Sequence, residues 1–158
     1  MFENEYTWGK AVNSGKVEEF NKNFENAVEY VKKQFGKKYP CIIDGKKIFS
    51  DETFDVKSPS DTRLILANFP KLDESQTKEA VLSAKNAFAK WSHITYQERS
   101  EIFKRTADEF AKNKFELAAW MSFENGKTRI EAINDVDEAI DFMRFYSFQL
   151  EKNEGFCK

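Results

Sequence analysis

Five carboxylates, Glu131, Asp135, Asp137, Glu138 and Asp141, crowd one short stretch towards the C-terminus. Residues three and four apart share a helical face, so such a run offers a general base or a set of oxygen ligands for a hard cation. Most of it reads as a solvated helix face, the ordinary use of charge on a helix. Glu138 stands apart: Phe142 lies one turn further on and Phe145 close by, which would desolvate the carboxylate and suit it to proton transfer. Glu138 is therefore the one carboxylate of the run kept as a candidate functional group.

The other reactive side chains are sparse. His93 is the only histidine, so any Ser-His-Asp or Cys-His arrangement must use it. It falls in the Trp91-Ser92-His93 linker between two expected helices, beside no cysteine, and reads as a solvated or capping loop histidine. Cys41 opens an apolar strand, where a thiol is expected to serve as a small buried hydrophobe. Cys157 lies one residue from the end. Two cysteines so far apart suggest neither a disulfide framework nor a zinc site, and reduced thiols are expected. The sequence contains no G-x-G-x-x-G, P-loop or H-E-x-x-H, so no phosphate cradle or zinc helix is encoded within it, and no metal site is expected.

The elements that position these residues follow from hydrophobic spacing. Glu116 to Tyr146 reads as two helices split at Gly126, a residue suited to a left-handed helix end. Asn113 is placed to cap the first, with Glu116 three residues on, and Thr128 with Glu131 opens the second. In that second helix Ile133, Val136, Ile140 and Met143 share one face. Glu131, Asp135 and Glu138 run along the other and pass into Phe142, Phe145 and Tyr146, which predicts burial of the C-terminal half on two sides.

Upstream, Val17, Phe20, Phe24, Ala27, Val28, Val31 and Phe35 recur at helical spacing and predict a helix from Ser14 to Phe35, with Gly36 as its stop. After Tyr39-Pro40 the pattern changes. Cys41 to Phe49 around Asp44-Gly45 predicts a hairpin, Phe54 and Val56 alternate with polar residues, and Leu64 to Phe69 is a short apolar run after the Ser58-Pro59-Ser60-Asp61 turn. Asp73 with Gln76, and Thr95 with Glu98, then open two further helices with capping-box spacing, striped by Val81, Ala84, Phe88 and Trp91, and by Ile102, Phe103, Ala107 and Phe110. The fold class expected is α+β, mostly helical: an N-terminal helix, three or four short strands including a β-hairpin, then four helices. No repeat or linker marks a second domain, so residues 1–158 are expected to form one segment: a helical extension (1–38), short strands (39–70) and a helical framework (71–158).

The 158 residues, 41% apolar and 33% charged, suit one domain able to bury a core. A net charge of −2 and a pI near 5.6 provide no global attraction to nucleic acid or acidic membranes. Lys32-Lys33, Lys37-Lys38 and Lys46-Lys47 read as solvated surface. The opening MFENEYTWGK lacks the apolar core of a secretory signal, and no run reaches membrane-spanning length. A cytoplasmic location is expected by elimination.

Several pieces occur in a recognisable order: FENE near the start, FGKKYPCIIDGKKI, DVKSPSD, AKNAFAKWSHITYQERSEIFKRTADEF, KFELAAWMSFENGKTRIEA and DVDEAIDFMRFYS. On these the chain resembles the N-terminal part of the aldehyde dehydrogenase superfamily, and within it the 1-pyrroline-5-carboxylate (L-glutamate γ-semialdehyde) dehydrogenase branch. The resemblance covers nearly the whole chain; the opening FENE, the helix before Tyr39-Pro40 and DVDEAIDFMRFY carry the branch. Ser58 departs from it, standing where Asn more often precedes Pro.

The resemblance implies a partial aldehyde dehydrogenase fold and NAD-dependent oxidation of an aldehyde to a carboxylate. In that family a cysteine thiolate attacks the aldehyde, hydride passes to the nicotinamide and a glutamate-activated water releases the acid. The nucleophile, that glutamate and the dinucleotide loop belong downstream of the matched region, and neither Cys41 nor Cys157 matches the nucleophile's position. The resemblance thus places no catalytic or cofactor-binding residue in this sequence. It carries over Glu138, in D-V-x-E-A-I-D-F, as a residue beside the aldehyde pocket.

Two readings of function follow. In the first, the chain is the amino-terminal portion of an enzyme of proline catabolism, from a truncated, split or fragmentary gene, inactive and without NAD when alone, whose partner is the missing catalytic part if that is separately encoded. In the second it is a non-catalytic helical interaction module or remnant whose exposed apolar faces bind another protein or form a homo-oligomer.

Overall fold

The computed structural model describes Asn4 and residues 6–156; Cys157 and most of the FENE opening lie outside the described residues. Six α-helices and five strands follow one another in the order ααβββββαααα. They group into two compact units, one taking in the chain up to Lys33 and from Thr95 onward, the other spanning Gln34–Ile94.

The first unit is helical. Helix α1 (Trp8–Asn13) is capped by the Thr7 hydroxyl, and α2 (Val17–Lys32) follows after a turn in which Gly15 takes a φ of 70°. Thus the predicted Ser14–Phe35 helix is shorter at both ends. Its stripe behaves as the spacing predicts: Phe20, Phe24 and Val31 are buried. The Phe20 ring lies 5.5 Å from Tyr6, 5.3 Å from Trp8 and 5.0 Å from Phe115, and such tilted and edge-on contacts add to the burial of apolar area.

Helices α4 (Tyr96–Lys112), α5 (Lys114–Asn125) and α6 (Arg129–Lys152) complete this unit. Fully buried Ala107, Ala118, Ala119 and Ala132 place small side chains between helices, which lets their axes approach. Capping boxes form at Thr95–Glu98 and Thr128–Glu131, and Gly126 adopts the left-handed conformation at φ 72°. The Asn113 cap does not form. Its side-chain amide turns back to donate to Glu109 O at 2.9 Å, because Asn113 is shared between the end of α4 and the start of α5, and the carbonyls at a helix end compete for the same side chain.

The second unit holds a three-stranded sheet in the order β1-β5-β4 and a separate β2-β3 hairpin. Strand β1 (Lys37–Lys38) runs parallel to β5 (Ile65–Pro70), and β4 (Thr53–Lys57) runs antiparallel to it. The hairpin joins β2 (Cys41–Ile43) to β3 (Lys46–Ile48). Asp44 and Gly45 both take positive φ, 51° and 71°, as a type I′ turn requires. The four expected strands are present, and β1 is added by backbone pairing that no side-chain pattern announces. Helix α3 (Glu74–Trp91) opens with the Asp73–Gln76 capping box.

Candidate functional site

Helix α6 carries the acidic run, and its buried stripe decides which carboxylates face solvent. Ala132, Ile133, Val136, Asp137 and Ile140 are all buried. Asp137 lies four residues after Ile133 and three before Ile140, so helical periodicity draws its carboxylate to the apolar side. There it meets Lys114, the first residue of α5: Nζ lies 2.5 Å from Asp137 Oδ1, with the two side chains 4% and 10% exposed. The same ammonium donates to Asn4 Oδ1 at 2.8 Å and to the Tyr6 carbonyl at 2.7 Å. The ammonium thus donates to two oxygens and meets the carboxylate as an ion pair. Asn4 Nδ2 closes the circuit by donating to the Asp137 carbonyl at 3.2 Å.

Burial raises the Asp137 carboxyl above its ordinary value, opposed by the hydrogen bond and charge of Lys114 and by Asn4, and reinforced by the negative charge of Asp141. Among the described residues its Oδ2 has no hydrogen-bond donor. The pair is a structural pin, its two side chains almost wholly buried. Its charge places Asp137 on the expected solvated face, whereas its position within the Ile133–Ile140 stripe carries the signal for burial.

The remaining acids disperse. Glu131 accepts from the Thr128 backbone at 3.0 Å and from its hydroxyl at 2.7 Å, which holds its carboxyl below the ordinary range. Asp135 pairs with Lys127. Glu138 and Asp141 are exposed. Among the described residues no group of three or more His, Cys, Asp or Glu side chains converges as a metal site.

Glu138 faces an open groove of about 590 Å³, walled by Thr7 and Gly9 on one side and by Asn134, Asp141 and Phe142 on α6. The desolvation expected for Glu138 is not found. Phe142, Phe145 and Tyr146 are themselves 49%, 43% and 58% exposed, so they cannot exclude water from a neighbour. The same exposures correct the prediction that the C-terminal half of α6 is buried on two sides. Phe145 and Tyr146 instead join Phe103, Leu150 and Phe156 around an apolar groove of about 620 Å³.

Of the other candidates, His93 is exposed and its Nδ1 lies 2.8 Å from the Ala89 carbonyl and 3.1 Å from Ser92 Oγ, a capping arrangement at the end of α3. Cys41 is a half-buried free thiol on β2, cross-strand from Ile48.

This helical framework, with its short strands, belongs to the aldehyde dehydrogenase family, whose sequence pattern matches residues 47–157. Relatives it matches include 1-pyrroline-5-carboxylate dehydrogenases. The Oceanobacillus iheyensis protein of that name is 33% identical over 141 residues, covering 87% of this chain and 27% of the relative. One of the Halalkalibacterium halodurans proteins so named is 34% identical over 140 residues, 88% of this chain and 27% of that one. A Thermus 1-pyrroline-5-carboxylate dehydrogenase crystallised with bound NAD superposes with a TM-score of 0.86 at 27% identity, over 98% of this chain and 29% of that one. The chain thus spans little more than a quarter of the length of the relatives it matches.

Helices α3, α4 and α6 begin with side chains that accept from their own free amides, and Glu18 and Glu19 occupy the first turn of α2.

Proposed function

We propose that the chain provides the amino-terminal framework, residues 1–158 acting as one segment, of a cytoplasmic NAD-dependent aldehyde dehydrogenase that oxidises L-glutamate γ-semialdehyde to glutamate in proline catabolism. The observation that carries this reading is the superposition on the NAD-bound Thermus enzyme over 98% of this chain, with sequence relatives bearing the same enzyme name. In this reading the thiolate nucleophile, the water-activating glutamate and the NAD site belong to the catalytic part of the enzyme, outside the region that these residues match. Glu138 supplies a carboxylate at the wall of the aldehyde pocket, and the Lys114–Asp137 pin holds α6 so that Glu138 faces the groove. Nucleic acid and membrane are not partners. Among the described residues no helix is long and apolar enough to cross a membrane.

One observation favours a second reading, a non-catalytic interaction module: α3 has no buried residue and leaves Val81, Leu82, Phe88 and Trp91 open. The two readings separate in a chimera in which this chain replaces the matching stretch of the Oceanobacillus relative. The framework reading expects NADH formation from glutamate semialdehyde and a change in aldehyde KM or kcat on Glu138→Ala. Unchanged aldehyde kinetics in that variant would remove Glu138 from the pocket, and a folded but inactive chimera would favour the module.

A further inference from the structure

Gly9 lies in the first turn of α1 and lines the groove that Glu138 faces. The chain has six glycines, and every one except Gly9 takes a positive φ that a side chain would strain. Gly9 sits instead in ordinary helical backbone, where glycine is less stable than alanine. Packing does not require a glycine there either. Beyond its own helix and chain neighbours, a Cβ at Gly9 would meet one atom, Thr7 Oγ1 at 3.9 Å, an ordinary van der Waals contact.

The helix around Gly9 is held in place. The Trp8 ring packs 5.3 Å from Phe20, Ala11 is buried, and Thr7 Oγ1 accepts from Lys10 N at 3.2 Å. Because α1 is fixed on both sides of Gly9, it cannot withdraw to make room for a larger residue. The atom that a Cβ would meet belongs to Thr7, which lines the same groove, so a side chain added at Gly9 would grow along that wall and take up groove space.

We propose that Gly9 is a specificity-determining residue: the missing side chain keeps the groove open for aldehydes whose chain continues for several atoms beyond the aldehyde carbon. This inference rests on the framework reading, in which Glu138 stands at the wall of the aldehyde pocket and the reacting groups lie outside the matched region. In that arrangement the aldehyde carbon is held by those groups, and the groove beside Glu138 receives the remote end of the substrate. Gly9 touches no reacting atom and acts by the room it leaves.

The test compares kcat/KM for L-glutamate γ-semialdehyde and for acetaldehyde in the chimera with the Oceanobacillus relative and in its Gly9→Ala and Gly9→Leu variants. Gly9→Leu is expected to lower the ratio of the two values by about tenfold or more, chiefly through the KM of the longer aldehyde, while acetaldehyde changes by less than about twofold. Gly9→Ala is expected to lower the ratio less, in the same direction, with a thermal midpoint no lower than that of the parent, since alanine is the better helix former. A glycine kept for structure would instead lose stability in Gly9→Ala and lose both aldehydes together. An active chimera whose ratio is unchanged in Gly9→Leu, or in which both aldehydes lose alike, would overturn the role of Gly9 and leave the framework reading standing. An unmodified chimera without turnover would overturn both.

Discussion

Lys114 Nζ sits 2.5 Å from Asp137 Oδ1 with both side chains buried, pinning the first residue of α5 to the middle of α6. Adjacent residues on a helix point about 100° apart, so fixing Asp137 inward turns Glu138 towards the groove. The same ammonium anchors Asn4 and Tyr6, which brings the N-terminal segment onto the helices that carry the candidate site. One buried lysine therefore organises three parts of the chain that are far apart in sequence.

Replacing Lys114 with Met should be among the most damaging single substitutions. It leaves a buried carboxylate without its partner, a change that costs about 3–5 kcal/mol. Adding Asp137→Leu to Lys114→Met should recover most of that loss, because an apolar pair of similar volume avoids the desolvation cost. Urea denaturation of the two variants measures both effects. A double variant no more stable than the single one would show that the pair does not act through uncompensated charge.

The same carboxylate predicts a pH dependence. The Asp137 carboxyl is raised in the folded chain above its ordinary 3.8, so between those two values the folded state holds a proton that the unfolded state has released. Its stabilising contribution is complete below the unfolded value and is lost as pH rises through the folded one. Glu151, held low by Lys104 and Ser100, behaves oppositely, its contribution being lost as pH falls. Denaturation midpoints of the native chain and of Asp137→Asn should therefore converge or cross as pH rises out of the acid range. Curves that stay parallel would contradict the assignment.

Phe20 is fully buried at the centre of the Tyr6, Trp8 and Phe115 rings. Phe20→Ala should destabilise the helical unit by about 3–5 kcal/mol, the range for removing a core aromatic. Near-UV circular dichroism should lose intensity in step, since the neighbouring rings lose their fixed packing. An effect below about 1 kcal/mol would mean that the aromatic cluster is not part of the core.

Gly126 ends α5 in the left-handed region at φ 72°. Gly126→Ala adds a Cβ where the following carbonyl crowds it, at a cost of about 1–2 kcal/mol. Thermal unfolding of the variant checks this, and an unchanged midpoint would place the α5–α6 turn in another conformation in solution.

Much of the fold was legible because its signals are local. The capping boxes at Asp73, Thr95 and Thr128, the left-handed Gly126 and the Asp44-Gly45 hairpin each depend on residues within four positions of one another, and all form. What was not legible depends on partners distant in sequence. Strand β1 exists only because Lys37 and Lys38 pair with Ala67 and Asn68, and the Asn113 cap lost its side chain to the preceding helix. In the site, Glu138 was located on its helix but its surroundings were misjudged: Phe142 and Phe145 follow it by the right steps, yet their own exposure leaves it in water. Asp137 was passed over because charge suggested a solvated face, whereas the Ile133–Ile140 stripe and the distant Lys114 together bury it.

The central claim is that this chain is a competent framework for aldehyde oxidation but holds none of the reacting groups. Its most direct test is NADH formation from L-glutamate γ-semialdehyde by two preparations: this chain alone, and the Oceanobacillus relative with the stretch matched over 141 residues replaced by this chain's. The account predicts no turnover from the chain alone and clear turnover from the chimera. Turnover by the chain alone that disappears in Cys41→Ser, or a folded chimera that forms no NADH, would contradict it.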